Sequence, residues 1–275
     1  MTLSTIRNNP AKQKKVKTKK QKAIAATCAV AFWLLVWHVV SLCVGSELVL
    51  VSPVKVVQTL FTVIFDPDFL KTVWYSAARI LGGFFIALTL GTVLGWVASR
   101  FWVVETLLRP ITAVIKATPV ASFIILVLLW FSGKNLSVII SMLMVFPVIY
   151  MNVLEGIRSA DEKLLEMAQV FRLSVSKKLL YIYLPAVAPF FVSACSVSLG
   201  LCWKSGIAAE VIGTPDGSIG AVFYQAKIFL QTSELLAWTV VVVAVSVAFE
   251  KLFMFLMRLI LKKLKMEDVL NGKSA

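Results

Sequence analysis

Long apolar blocks restrict the fold of this sequence more than any other feature. Six of them occupy residues 23–44, 74–98, 111–131, 136–154, 187–207 and 236–260. A helix of about 20 apolar residues crosses the hydrocarbon core of a bilayer. Only helices and closed barrels satisfy the backbone there, and the blocks lack the alternation of barrel strands. The sequence therefore predicts an all-α integral membrane protein with six transmembrane helices.

Composition agrees, since 59% of the residues are hydrophobic and 15% are charged, whereas a soluble domain is about a quarter charged. The first block has the position of a signal peptide. Its length exceeds that of a signal-peptide core, and it has no clear small-x-small cleavage site. We therefore interpret it as a retained first span.

The distribution of Lys and Arg predicts the topology. Nineteen lie in segments 1–22, 99–110, 155–186 and 261–275, and four lie in segments 45–73, 132–135 and 208–235. Because positive residues accumulate on the cytoplasmic side, both termini are expected inside. The predicted organisation is a basic cytoplasmic tail (1–22), a transmembrane domain (23–262) and a second tail (263–275). Basic clusters beside spans also explain the net charge of +14 without nucleic-acid binding.

Three local patterns refine this plan. Apolar residues at helical spacing follow Pro53, which predicts an interfacial helix on the outer face. Small residues recur every four positions at Gly83, Ala87, Gly91 and Gly95. This flat face suits close helix packing. We expect the contact to lie within the chain, in preference to a contact between two copies in a dimer. Two prolines inside blocks, Pro119 and Pro147, predict kinks.

The inner connection 155–186 is polar but patterned. Ser159-Ala160-Asp161-Glu162 has capping-box spacing, which predicts a helix starting there, with a break at Arg172-Leu173-Ser174. A second apolar face precedes Pro185. Such a helix-turn-helix either presents an apolar ridge to a partner protein or packs on its own bundle.

This connection resembles the E-A-A loop in permeases of ATP-binding-cassette (ABC) importers, written E-A-A, Gly and, after a gap, Ile-x-Leu-Pro. The chain has Glu166-Met167-Ala168, with Arg172 at the Gly position, and Ile182-Tyr183-Leu184-Pro185. Further segments are similar to the nitrate/sulfonate/taurine branch of these permeases: Leu108-Arg109-Pro110-Ile111, Trp130-Phe131-Ser132-Gly133 and Ala208-Ala209-Glu210-Val211-Ile212-Gly213. The resemblance extends over residues 30–262.

The resemblance implies a type I ABC importer permease in the bacterial cytoplasmic (plasma) membrane. Its partners would be a second permease copy in a homodimer, two cytoplasmic ATPase subunits and an external solute-binding protein. The ATPase-docking positions carried over are Glu166, Met167, Ala168, Arg172 and Leu173. The chain would bind no cofactor itself, because ATP and Mg would belong to the ATPase subunits.

The sequence offers no motif for hydrolysing ATP. Its nearest approach to a P-loop, Gly272-Lys273-Ser274, has Glu267 where the first glycine belongs. No catalytic or metal-binding constellation stands out, so we do not expect an enzyme. The alternative function is an ATP-independent secondary transporter or channel, which leaves the patterned loop unexplained.

Four charged residues inside or near the ends of apolar blocks are candidates for the translocation path: Lys204, Arg79, Lys116 and Glu210. A charge in lipid is costly, so such residues usually face a cavity or a partner. Lys204 follows Trp203 within the fifth block, and a cation lining the path there would favour an anionic solute. The structural alternatives are pairing of Lys204 with Glu210 or Glu105, and snorkelling of Lys116 to the inner interface.

Overall fold

The computed structural model describes residues 19–264, and this range is helical with no strand. The helices are α1 (Lys19–Val44), α2 (Pro53–Ile64), α3 (Phe69–Arg100), α4 (Trp102–Ala117), α5 (Val120–Leu128), α6 (Gly133–Arg158), α7 (Glu162–Val170), α8 (Val175–Lys178), α9 (Leu184–Gly213), α10 (Ile219–Ile228) and α11 (Thr232–Lys263). The chain divides into two compact units between Lys55 and Val56. Residues 1–18 of the predicted basic tail lie outside the described range, and so do residues 265–275 of the predicted C-terminal tail.

Five helical stretches of the described chain are long and apolar enough to cross a membrane: Thr27–Val44, Phe69–Arg100, Gly133–Arg158, Val175–Gly213 and Thr232–Lys263. A sixth candidate is the pair α4 and α5, which pass the same test together. The prediction of an all-α membrane protein is confirmed, with five spans or six. The orientation of the termini and the domain boundaries stay predictions.

The third predicted span, 111–131, is not one straight helix. Helices α4 and α5 meet at an angle of 105° around Thr118 and Pro119. Thr118 is extended, as proline requires of the residue before it, and Pro119 has no amide hydrogen to continue a helix. Helix α4 also starts at Trp102, within the segment predicted to be an inner loop. Pro147, by contrast, lies inside an uninterrupted α6.

Helices α3, α6 and α9 form the core of the second unit. The small-residue face of α3 packs on α6 so closely that a Cβ on Gly83 would stand 2.4 Å from the Val138 carbonyl oxygen. A Cβ on Gly91 would stand 3.0 Å from Cβ of Ile149. The interpretation of this face as packing within the chain is confirmed. From α9, Trp203 completes the same core.

The helix predicted after Pro53 is also present, as α2. Its buried residues are Val56 and Val63, whereas Val57 and Phe61, two of the apolar residues that follow Pro53 at helical spacing, are exposed. Its position at the outer membrane surface remains a prediction.

Candidate functional site

The loop that follows α6 folds around a short capped helix. Oδ1 of Asp161 accepts a 2.8 Å hydrogen bond from the Lys163 amide and so caps α7. The hydroxyl of Ser159 instead donates to the Gly156 carbonyl at 2.9 Å. The helix in this loop is therefore confirmed, whereas the capping box from Ser159 is wrong, because that residue ends α6.

Helix α7 ends in a Schellman turn. The Leu173 amide donates to the Ala168 carbonyl at 2.9 Å, and the Arg172 amide donates to that of Gln169 at 3.0 Å. Arg172 has φ of 48°, the left-handed conformation that glycine adopts most easily. This is the position where the E-A-A loop has Gly, so the break forms with an arginine in the glycine conformation.

The second half of the loop leads into the next span without a break. Helix α8, a π-helical segment at Leu179–Tyr183 and α9 follow one another directly. Pro185, in the first turn of α9, cannot donate a backbone hydrogen bond, and the wider π segment precedes it. The part of this long helix that belongs to the loop is thus continuous with the part that is long and apolar enough to cross a membrane.

The five candidate docking residues fall into two groups. Ala168 is fully buried against Ala160 and Ile182, with Leu173 packed beside them. These side chains hold the loop together and present little surface. The other three candidates, Glu166, Met167 and Arg172, are exposed.

Two further exposed apolar residues were not among the candidates. Val170 and Phe171 lie at the end of α7, and Phe171 is 71% exposed, compared with 48% for Met167. Their signal in the sequence is an apolar pair directly before the predicted break. Together with Met167 and Leu164 they form an apolar patch, called here the α7 patch.

The cationic candidates in the spans are spread over three helices. Lys204 is exposed on α9 although its neighbours Trp203 and Ser205 are buried. Among the described residues no acid forms an ion pair with it. Arg79 of α3 stacks on Tyr75, with its guanidinium carbon 4.5 Å from the ring centroid, and donates to the Tyr75 hydroxyl.

The anionic candidate, Glu210, is fully buried. Its Oε2 accepts hydrogen bonds from Ser76 Oγ at 2.6 Å and from the Gly220 amide at 3.4 Å. The Ile219 amide donates to Ser76 Oγ at 2.9 Å. Glu210 therefore joins α9, α3 and the start of α10, and it does not contact Lys204.

Glu105, the other suggested partner of Lys204, bridges two arginines. Its carboxylate oxygens lie 2.5 Å from Nη2 of Arg158 and 3.4 Å from Nη2 of Arg109. It thereby joins α4 to the end of α6, three residues before the cap of α7. Farther along the same face of α4, Nζ of Lys116 donates to Sδ of Met151 at 3.5 Å.

A charged residue that the sequence interpretation overlooked is Glu250, in the middle of α11. Ser196 Oγ of α9 donates to it at 2.8 Å. Its signal was an acidic residue within the last apolar block, the same kind of signal that singled out Lys204.

The chain matches a known family of membrane proteins over much of its length. The family model for the binding-protein-dependent transport system inner membrane component matches residues 87–266. A protein named as an aliphatic sulfonates transport permease from Escherichia coli is 34% identical over 230 residues, 78% of this chain and 82% of that protein. Its counterpart in Bacillus subtilis is 29% identical over 232 residues, 83% of each chain. The taurine transport system permease protein of Escherichia coli is 27% identical over 220 residues, 78% of this chain and 80% of that protein.

Proposed function

Since this chain belongs to the family of binding-protein-dependent transport system inner membrane components, we propose that it forms the path of an ATP-driven importer for a small anion. It is a multi-pass permease of the inner membrane. The solutes named for its relatives include aliphatic sulfonates, taurine, nitrate and bicarbonate. Each of them carries an anionic group, which supports an anionic solute for this chain.

Lys204 is the observation that carries the proposal. It is an exposed cation in a helix that crosses the membrane, and no acid among the described residues pairs with it. An ammonium facing lipid is unfavourable, which supports water, a solute or another chain as its surroundings. A positive charge beside a narrow path attracts anions and repels cations.

The same exposure supports a dimer of two permease chains. Val197, two helical turns from Lys204 on the same face of α9, is also exposed. A second copy facing this side would enclose a path between the two chains and place Lys204 beside it. The solute would arrive from an external binding protein.

The α7 patch supports docking of a separate ATPase subunit, which would bind ATP and Mg while this chain binds neither. An apolar ridge on a short helix, with Glu166 beside it, fits an apolar groove with a charged rim. Because Ala168 is buried in the loop, the contact surface consists of the residues around it.

Uptake by the purified complex in vesicles tests the path. Lys204→Met removes the charge and keeps most of the side-chain length, so ATP-driven uptake of ethanesulfonate or taurine should fall at least tenfold while assembly persists. Lys204→Arg should retain part of the activity. Lys71→Met, which removes an exposed lysine paired with Asp68, is the control and should transport normally. Normal uptake by an assembled Lys204→Met complex would remove Lys204 from the path.

A second measurement tests the docking surface. Phe171→Asp places a charge in the α7 patch and should release the ATPase subunit during purification, whereas Val175→Asp, an equally exposed site beyond the turn, should not. Retention of the ATPase by the Phe171→Asp permease would contradict the assignment. Uptake without ATP in the wild type would favour a secondary transporter instead.

A further inference from the structure

A cavity of about 360 Å³, open to the surface and lined mainly by exposed residues, lies between α4 and α6. It is lined by Arg109, Thr112, Ala113, Lys116, Ala117 and Met151. The lining contains two cationic side chains and a hydroxyl but no carboxylate. Its volume is within the range of small-molecule sites. This combination of charge and space fits a small anion.

The helical spacing explains why these groups meet. Arg109, Thr112 and Lys116 lie at positions i, i+3 and i+7 of α4, so their side chains share one face. That face opposes α6, where Met151 contacts Lys116. A thioether is a weak acceptor and leaves the positive charge of Lys116 uncompensated.

The nearest acids do not neutralise the cavity. Glu105 and Glu155 line the adjoining cavity of about 210 Å³, which shares Arg109, Thr112 and Met151 with the first. The carboxylate of Glu105 is already divided between Arg109 and Arg158. Glu105 and Glu155 together balance Arg109 and Arg158, so the excess positive charge is that of Lys116.

We propose that this cavity is an anion subsite, in which Arg109 and Lys116 bind a sulfonate or similar oxyanion before it leaves the path, while the Thr112 hydroxyl donates to the Leu108 and Arg109 carbonyls of its own helix. The inference rests on the proposed function, which supplies the direction of transport. By the predicted topology the cavity is at the inner end of the bundle. The Glu105–Arg158 pair also links its wall to the end of α6, directly before the α7 loop. An anion bound here would therefore lie next to the segment that responds to the ATPase.

Charge-selective modification of a cysteine in the wall tests the subsite. Met151 is 43% exposed and lines both cavities, so Met151→Cys is introduced into the assembled complex after the native cysteines are replaced. The probes are two methanethiosulfonates of similar size, one ending in a sulfonate and one in trimethylammonium. The ratio of the sulfonate reagent's reaction rate to the cationic reagent's reaction rate should exceed one. Lys116→Met should lower this ratio about tenfold. Lys134→Met, an exposed lysine at the start of α6, is the matched control and should not change it.

The source of the anion is tested with lipids. In phosphatidylcholine vesicles, millimolar ethanesulfonate should slow the sulfonate reagent several-fold, and adding phosphatidylglycerol should not. The opposite pattern would identify a lipid headgroup site and overturn the solute assignment. Equal reaction of both reagents, unchanged by Lys116→Met, would overturn the subsite itself. Ala113→Cys, at an exposed residue that lines the same cavity, serves if Met151→Cys does not assemble.

Uptake by the unmodified complex separates this inference from the proposed function. Wild-type vesicles without ATP-dependent uptake of ethanesulfonate, taurine, nitrate or bicarbonate would contradict the function, whatever the reagents show. Normal uptake combined with equal reagent rates would contradict the subsite alone.

Discussion

Ser76 and Glu210, 134 residues apart in the chain, are joined by a 2.6 Å hydrogen bond between two fully buried side chains. The serine hydroxyl donates to the carboxylate and accepts from the amide of Ile219. A chain of polar contacts thus connects α3, α9 and the first turn of α10. Such networks stabilise one arrangement of helices because each broken contact leaves a buried polar group unsatisfied.

The first prediction is that Ser76→Ala destabilises the permease by about 1–3 kcal/mol, the cost of leaving buried polar partners unsatisfied. The groups affected are Oε2 of Glu210 and the amide of Ile219. Unfolding by sodium dodecyl sulfate in mixed micelles measures the change. Thr239→Val is the control, because this exposed hydroxyl bonds only to its own helix, at the Leu235 carbonyl. Equal unfolding midpoints for the two variants would contradict the structural role of the network.

Two neighbouring glycines of α3 give the second prediction. In Gly83→Ala the new Cβ would lie 2.4 Å from the Val138 carbonyl oxygen, whereas in Gly82→Ala it would meet no atom within 4 Å. Overpacking of this kind costs about 1–3 kcal/mol. In contrast, Gly82→Ala should be neutral or stabilise by up to about 1 kcal/mol, because alanine favours the helix. Thermal unfolding of the two variants, compared side by side, measures the difference, and equal loss in both would contradict the close packing of α3 on α6.

The third prediction concerns the turn after α7. Arg172→Gly should stabilise the loop by about 1 kcal/mol, because an L-residue in the left-handed conformation carries a cost of about 1–2 kcal/mol that glycine avoids. Greater flexibility of glycine in the unfolded chain offsets part of this gain. Lys163→Gly, within α7, should destabilise the loop by about 1 kcal/mol. Amide hydrogen exchange at Leu173, whose amide closes the turn, reports both changes; faster exchange in Arg172→Gly would contradict the prediction.

The sequence predicts those features that depend on neighbouring residues. The apolar blocks locate the membrane helices, Pro119 marks the break between α4 and α5, and Arg172-Leu173-Ser174 marks the end of α7. Each depends on local backbone chemistry or on the length of an apolar run. The 105° angle at Pro119 depends on packing against other helices and was not predictable locally.

The candidate site is less predictable, because its contacts join distant segments. Lys204 and Glu210 look similar in sequence, because one lies inside the fifth apolar block and the other just beyond its end. The structure separates them, since Glu210 is buried against Ser76 and Lys204 is exposed. The burial of Ala168 depends in the same way on Ile182, which lies beyond the turn.

The last prediction is the topology, argued from the length of α9. Its 30 residues extend about 45 Å at 1.5 Å per residue, more than the roughly 30 Å of a hydrocarbon core. Its two ends should therefore reach opposite sides of the membrane, with the α7 loop inside as the positive charges indicate. Single cysteines replacing Glu162 before α9 and Gln231 after it, both exposed, test this in a chain whose native cysteines are replaced by alanine. An impermeant maleimide should label Gln231→Cys in intact cells and Glu162→Cys only after permeabilisation. Labelling of both from one side would mean that α9 does not cross the membrane, and labelling in the reverse order would mean that the charge asymmetry assigns the wrong side.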